Sequence, residues 1–120
     1  MRRLWVIRDE QLRAFEEPLR QEFLRRAALH LRSHFASCRA LPAEQLRALV
    51  EEGVAEFAAH GIVAERDVCK LLGVRVVLGA GFARLDWARQ ILESDAGPTL
   101  RANRLALRAA NETGEAHAQK

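Results

Sequence analysis

The stretch from Val68 to Leu78, VCKLLGVRVVL, constrains the fold more than any other part of the chain. Its only charges are Lys70 and Arg75. Wound as a helix, it points apolar side chains in nearly every direction, and such a helix belongs in the middle of a protein. The valines Val74, Val76 and Val77 would also suit a strand. No second segment of strand character is available to pair with them, so a helix is the expectation. The expected fold is all-α, a single-domain bundle of about five helices packed around this central apolar helix.

The surrounding chain supplies the layers. Residues 1–8, with Leu4, Trp5, Val6 and Ile7, read as an N-terminal arm that leads into the bundle in extended form, or alternatively as an exposed docking strand. The helical bundle domain then covers residues 9–113. Its first helix is expected from Asp9, a good N-cap, to Ser37. Leu12, Phe15, Leu19, Phe23, Ala27, Leu31 and Phe35 recur there at helical spacing. Pro18 predicts a kink or a restart. Arg25, Arg32 and Arg39 flank this stripe, where acids of a neighbouring helix are the expected partners.

A second helix begins at Pro42 and presents Leu46, Leu49, Val50, Val54 and Phe57. Gly53 interrupts that face at a cost of about 1 kcal/mol relative to alanine, so a close helix crossing is expected there. His60-Gly61 is a stop signal with Gly61 as the C′ residue. The central helix starts near Glu65, whose charge and that of Asp67 complement its dipole, and it ends at Gly79. Phe82 is expected to plug the core from the next loop. A short helix from Asp86 to Ser94 carries Trp87, Ile91 and Leu92 inward. A last one from Thr99 to Glu112 uses Leu100, Leu105 and Leu107, and residues 114–120 read as a flexible tail.

The core must be built mostly of Leu, Ala and Val, because the chain is 49% hydrophobic but only 6% aromatic and has no Tyr. Its 120 residues fit one domain. The net charge is +3, distributed as +4 over residues 1–39, −3 over 40–72 and +2 over 73–120. That alternation fits complementary neighbours within the fold rather than one basic surface for nucleic acid. The apolar run is too short and too charged to span a bilayer. The first residues hold no apolar segment of signal-peptide type. A cytoplasmic protein with Cys38 and Cys69 reduced is expected, with no membrane association.

No set of residues assembles into catalytic machinery. His30, His34 and Cys38 would stack on an uninterrupted helix as zinc-type ligands, with His60 or Cys69 as a fourth. Cys38 lies at the helix end, however, and no acid stands between the histidines. Two flank histidines and a small buried thiol are the expectation, with no metal. Ser33, Ser37 and Ser94 lie outside any GxSxG context. Cys69 sits in the most apolar helix, where a thiol stays protonated. The paired acids Glu16-Glu17 and Glu51-Glu52 are adjacent in sequence and do not face each other on a helix. Gly79-Ala80-Gly81 opens no phosphate-binding motif. Neither catalytic residues nor cofactors are therefore expected. Val63 to Val74 has the pattern of the first helix and turn of a helix-turn-helix, with Cys69 and Gly73 in the small-residue positions. The following VRVVLGAGF offers only Arg75 to read bases, so nucleic acid is not the expected partner.

RDVCKLLGVRVVLGAGF, followed by WARQIL and preceded by the opening VIRDEQLRAFE, resembles a family of small bacterial helical proteins. These are encoded beside type VI secretion spike components, such as PAAR-type tip proteins, and their effectors. The resemblance covers roughly residues 6–107, and Arg66-Asp67-Val68, Gly79, Phe82 and Trp87-Ala88-Arg89 are its specific parts. The chain departs from it at Leu71-Leu72, where relatives are more aromatic, and at Ala83, where an acid often follows the phenylalanine. The resemblance implies a non-enzymatic protein-binding accessory factor, an adaptor or chaperone, for a type VI effector or spike protein. It implies no catalytic residues. The contacts expected for such a role are Arg66, Asp67 and Arg75 near the central helix, with Trp5 and Trp87 as anchors, because interfaces favour Trp and Arg. A helix start held by local ion pairs is the competing account of Arg66 and Asp67. An immunity protein using Glu51, Glu52 and Glu56, and a helix-turn-helix regulator, are the alternative functions.

Overall fold

The central helix forms as its composition demands. The structure, a computed structural model, describes the backbone of residues 2–118 and the side chains of residues 18–113. It consists of α1 (Arg2–His34), α2 (Ala36–Arg39), α3 (Ala43–Ala59), α4 (Glu65–Leu78), a 3-10 turn (Phe82–Arg84), α5 (Asp86–Leu92) and α6 (Pro98–Ala118). No strand occurs among the described residues, and the fold is an all-α bundle. Helix α4 packs against α1, α3 and α6.

Cross-chain contacts set the directions. Arg75 of α4 reaches both Leu49 and Glu56, and Leu72 lies against Gly53, so α3 crosses α4 at Gly53. Arg26 meets Glu65 and Phe35 meets Gly73, so α1 runs parallel to it. Thr99 meets Asp67 and Asn103 meets Lys70, so α6 is parallel as well. The 3-10 turn and α5 carry the chain back between α4 and α6. Phe82, in that turn, is fully buried as expected and faces Phe57 at a ring separation of 6.2 Å.

The helix ends follow from local chemistry. Gly61 has a φ of +78°, the left-handed conformation of a helix stop. The Gly61 N–H donates to Ala58 O and the Ile62 N–H to Phe57 O, each at 2.9 Å. This is a Schellman closure, and the two positions at which such a closure places its hydrophobic pair, Ile62 and Phe57, are both fully buried. Replacing Gly61 by alanine is expected to lower unfolding free energy by about 1 kcal/mol, because a Cβ disfavours that conformation. Gly81, with φ near −90° and open space around it, should accept alanine within about 0.5 kcal/mol in the same urea titration.

Several expectations are corrected. The extended arm over residues 1–8 is helical from Arg2, so α1 has no start at Asp9; the side chain of Trp5 lies outside the described residues. Helix α1 runs through Pro18 and stops at His34, where Phe35 adopts extended φ/ψ of −131° and 118°. Among the described residues, Arg32 and Arg39 do not pair with acids of a neighbouring helix. Arg39 donates to Arg32 O at 2.8 Å, satisfying a carbonyl that the end of α1 leaves open, and Arg32 reaches Leu41 O at 3.3 Å. Arg25 pairs within its own helix, with Glu22, which holds that carboxyl below its usual range. The tail expected at 114–120 is helical as far as Ala118. Leu19, Leu100 and Leu107 are exposed rather than core. Helix α6 buries Ala102, Leu105 and Ala109 instead, because parallel packing on α4 selects its small-residue face.

Candidate functional site

Helix α4 meets α6 through residues with little side chain, and this opens a trough between them. Gly73 on α4 faces Ala106, Ala109 and Ala110 on α6, with Val74, Val77 and Thr113 completing the walls. Phe35 closes one side. The break between α1 and α2 brings its ring over Gly73, where an added Cβ would stand 3.3 Å from its Cζ. The groove holds about 240 Å³ and opens to solvent. That is below the roughly 300–1,000 Å³ of pockets that hold cofactors and small ligands. It matches instead the size of apolar anchor side chains from another protein. Val77, on its rim, is 52% exposed.

One end of the groove is basic. Lys70 lines it and donates to Asn103 Oδ1. Arg66, one turn earlier on α4, is exposed and has no ion pair among the described residues.

The other expected contact residues have different surroundings. Asp67 is 2% exposed and accepts a hydrogen bond from Thr99 Oγ1 at 2.8 Å, fastening the start of α6 to the start of α4. Arg75 is 10% exposed, with Nε 3.2 Å from Glu56, a terminal nitrogen 3.5 Å from Glu52 and the other donating to Leu49 O at 3.4 Å. Both residues hold helices together and turn away from solvent. Trp87 is half-buried against the core, with the Arg108 guanidinium 5.1 Å above its ring. The structure therefore leaves Arg66 as the exposed cation of the expected set. The acids proposed as an immunity face are likewise engaged within the fold, Glu52 and Glu56 by Arg75 and Glu51 by Arg47.

The row of His30, His34 and Cys38 is not assembled. The histidine rings stack at 4.3 Å on the exposed side of α1, whereas the turn at Phe35 rotates Cys38 into the core. Among the described residues no three metal-type side chains converge. The helix-turn-helix geometry is also not formed, since α4 continues without a turn through Gly73 to Leu78.

Cys69 is half-buried, and burial pushes its thiol pKa up; the Glu65 carboxylate adds to this and Arg26 opposes it. A raised pKa leaves the thiol neutral near pH 7 and a poor nucleophile. Iodoacetamide should therefore modify native Cys69 slowly at pH 7, with a rate that climbs only above the ordinary thiol range. Stability linked to Cys69 is present below the unfolded-state pKa and is lost as pH rises through the folded-state value. Thiol labelling followed by peptide mass analysis reads the rate directly.

Sequence reasoning did not single out the groove. The available signal was the alanine spacing in α6, Ala106, Ala109 and Ala110, opposite a glycine at Gly73. No family model, no curated protein and no solved structure matches the chain. Among the described residues no helix is long and apolar enough to cross a membrane. Fold and site together define an all-α bundle with an open apolar trough beside its central helix.

Proposed function

We propose that this protein is a non-enzymatic protein-binding accessory factor, an adaptor or chaperone for a type VI secretion effector or spike protein. The observation that carries the binding reading is the groove between α4 and α6, which exposes Val77, Ala110 and part of Phe35 in one continuous apolar depression. The partner class rests on the resemblance over residues 6–107. Half of the residues specific to that resemblance lie within the fold: Asp67, Val68, Phe82 and Ala88 are buried, and Gly79 ends α4 at a φ of +99°. Helix α4, which holds Asp67 and Val68, forms one wall of the groove.

Affinity purification of the tagged chain from the cells that encode it, with mass spectrometry, tests the proposal. A stoichiometric spike or effector protein is the expected result. Recovery of the chain alone, or with nucleic acid, contradicts it. Protection of cells against a co-expressed toxin by this chain alone would replace the accessory role with an immunity role.

A further inference from the structure

We infer that the partner segment seated in the α4–α6 groove is an amphipathic helix carrying a carboxylate about two turns from its apolar anchors. The inference rests on the groove being a docking site, and it specifies the chemistry of what docks. The argument starts from the charge pattern along α4. Arg66 and Lys70 are spaced i, i+4 and both are exposed. Like charges at that spacing destabilise a helix by a few tenths of a kcal/mol, and an acid nearby would relieve them. None does so within the described fold. The neighbouring acids make their contacts elsewhere, Glu65 with Arg26 and Asp67, through a hydrogen bond, with Thr99. The Lys70 ammonium has a neutral partner, the Asn103 amide oxygen.

The other end of the groove lacks charge and is lined by Phe35, Val77, Ala110 and Thr113. The groove is thus polarised, with Lys70, and Arg66 one turn before it, without an ion pair among the described residues at one end and an apolar lining at the other. Lys70 and Val77 are seven positions apart, about 10 Å along a helix axis, which is about two turns of a partner helix. A helix that places apolar side chains against Val77 and Ala110 sets a residue seven positions away over Lys70. A carboxylate there meets a cation at the rim, where charge complementarity fixes register and direction. The small residues Ala106 and Ala110 on the open side permit the close approach a helix backbone needs.

The test uses a displayed library of helical peptides in which two apolar anchors are fixed and the position seven residues away is randomised. The full-length protein, its Lys70→Glu variant and its Val77→Glu variant are the baits. Both changes lie on exposed or rim positions, and circular dichroism of each bait verifies the fold. Wild type is expected to enrich Asp and Glu over Lys and Arg at the random position by about fivefold per round, the upper range for an exposed charge pair. Lys70→Glu is expected to reverse that preference, and added salt to flatten it. Val77→Glu should reduce recovery of every peptide about tenfold. Enrichment of apolar-anchored peptides with no charge preference, or with one that residue 70 does not control, would overturn the carboxylate while leaving the docking groove in place. Recovery no higher on wild type than on Val77→Glu would overturn the inference together with the groove. Sedimentation is expected to show a monomer; a dimer dispersed by Val77→Glu would assign the groove to a second copy and overturn the inference.

Discussion

Phe57→Ala is expected to lower the unfolding free energy by about 4 kcal/mol, a large share of the 5–15 kcal/mol typical of a folded domain. Phe57 is fully buried and is one of the largest side chains in a core built mainly of Leu, Ala and Val. It stands where three elements meet. Its carbonyl accepts the Ile62 N–H that closes α3, its ring faces Phe82 from the 3-10 turn, and it shares the buried core with Ile62. Truncation removes the transfer free energy of the ring and leaves a cavity whose walls are tied to separate helices and cannot collapse together. Urea unfolding followed by circular dichroism checks the value. A loss below about 1 kcal/mol would mean that α3 and the 3-10 turn do not share a core at this point.

Gly53→Val is the second large effect, with an expected destabilisation of about 3 kcal/mol. A Cβ at Gly53 would run into Cδ2 of Leu72, and the next neighbour is Arg75 Cδ at 3.5 Å. Leu72 is only 1% exposed, so its methyl group has little room to retreat. Helix α3 must move off α4 to admit a β-branched side chain. That movement also lengthens the contacts of Arg75 with Glu56 and Leu49, which lie on the same crossing. Gly53→Ala is the informative partner variant. Its better helix propensity returns about 1 kcal/mol, so it should fall between wild type and Gly53→Val in the same urea series. Stabilisation by both variants would contradict the close crossing.

Gly53, Gly61 and Phe82 show why the core was legible in the sequence. Each has a residue type that only one kind of position explains: a glycine in an apolar helical face, a glycine after a helix, an aromatic after a breaker. The central place of α4 was readable for the same reason, since its apolar side chains required partners on most sides. The phase of α6 was not. Leu100 and Leu107 are larger than Ala102 and Ala109, yet the face that α6 turns to α4 carries the two alanines together with Leu105. The break at Phe35 was also hidden. The stripe through Phe23, Ala27, Leu31 and Phe35 continues in register, and the turn is held by Arg39 reaching back to the carbonyl of Arg32, a contact no local pattern announces.

The site was less legible than the fold for a related reason. Arg75 and Asp67 looked like contact residues because they are charges in an apolar helix, and a charge in such a helix serves either a partner or the fold. Their burial and partners tie them to α3 and α6. The groove arises from what is missing at Gly73 and Ala106, and missing side chains become visible only when two helices are placed side by side.

The most direct test of the account is site-specific photo-crosslinking in the cells that encode the protein, with a photoreactive amino acid at Val77 in the groove or at Val63. Val63 is 70% exposed, lies in the loop before α4 and is absent from the groove lining. The account predicts a crosslink from position 77 to a spike or effector protein and none from position 63. A crosslink from position 63 with none from position 77 would contradict it.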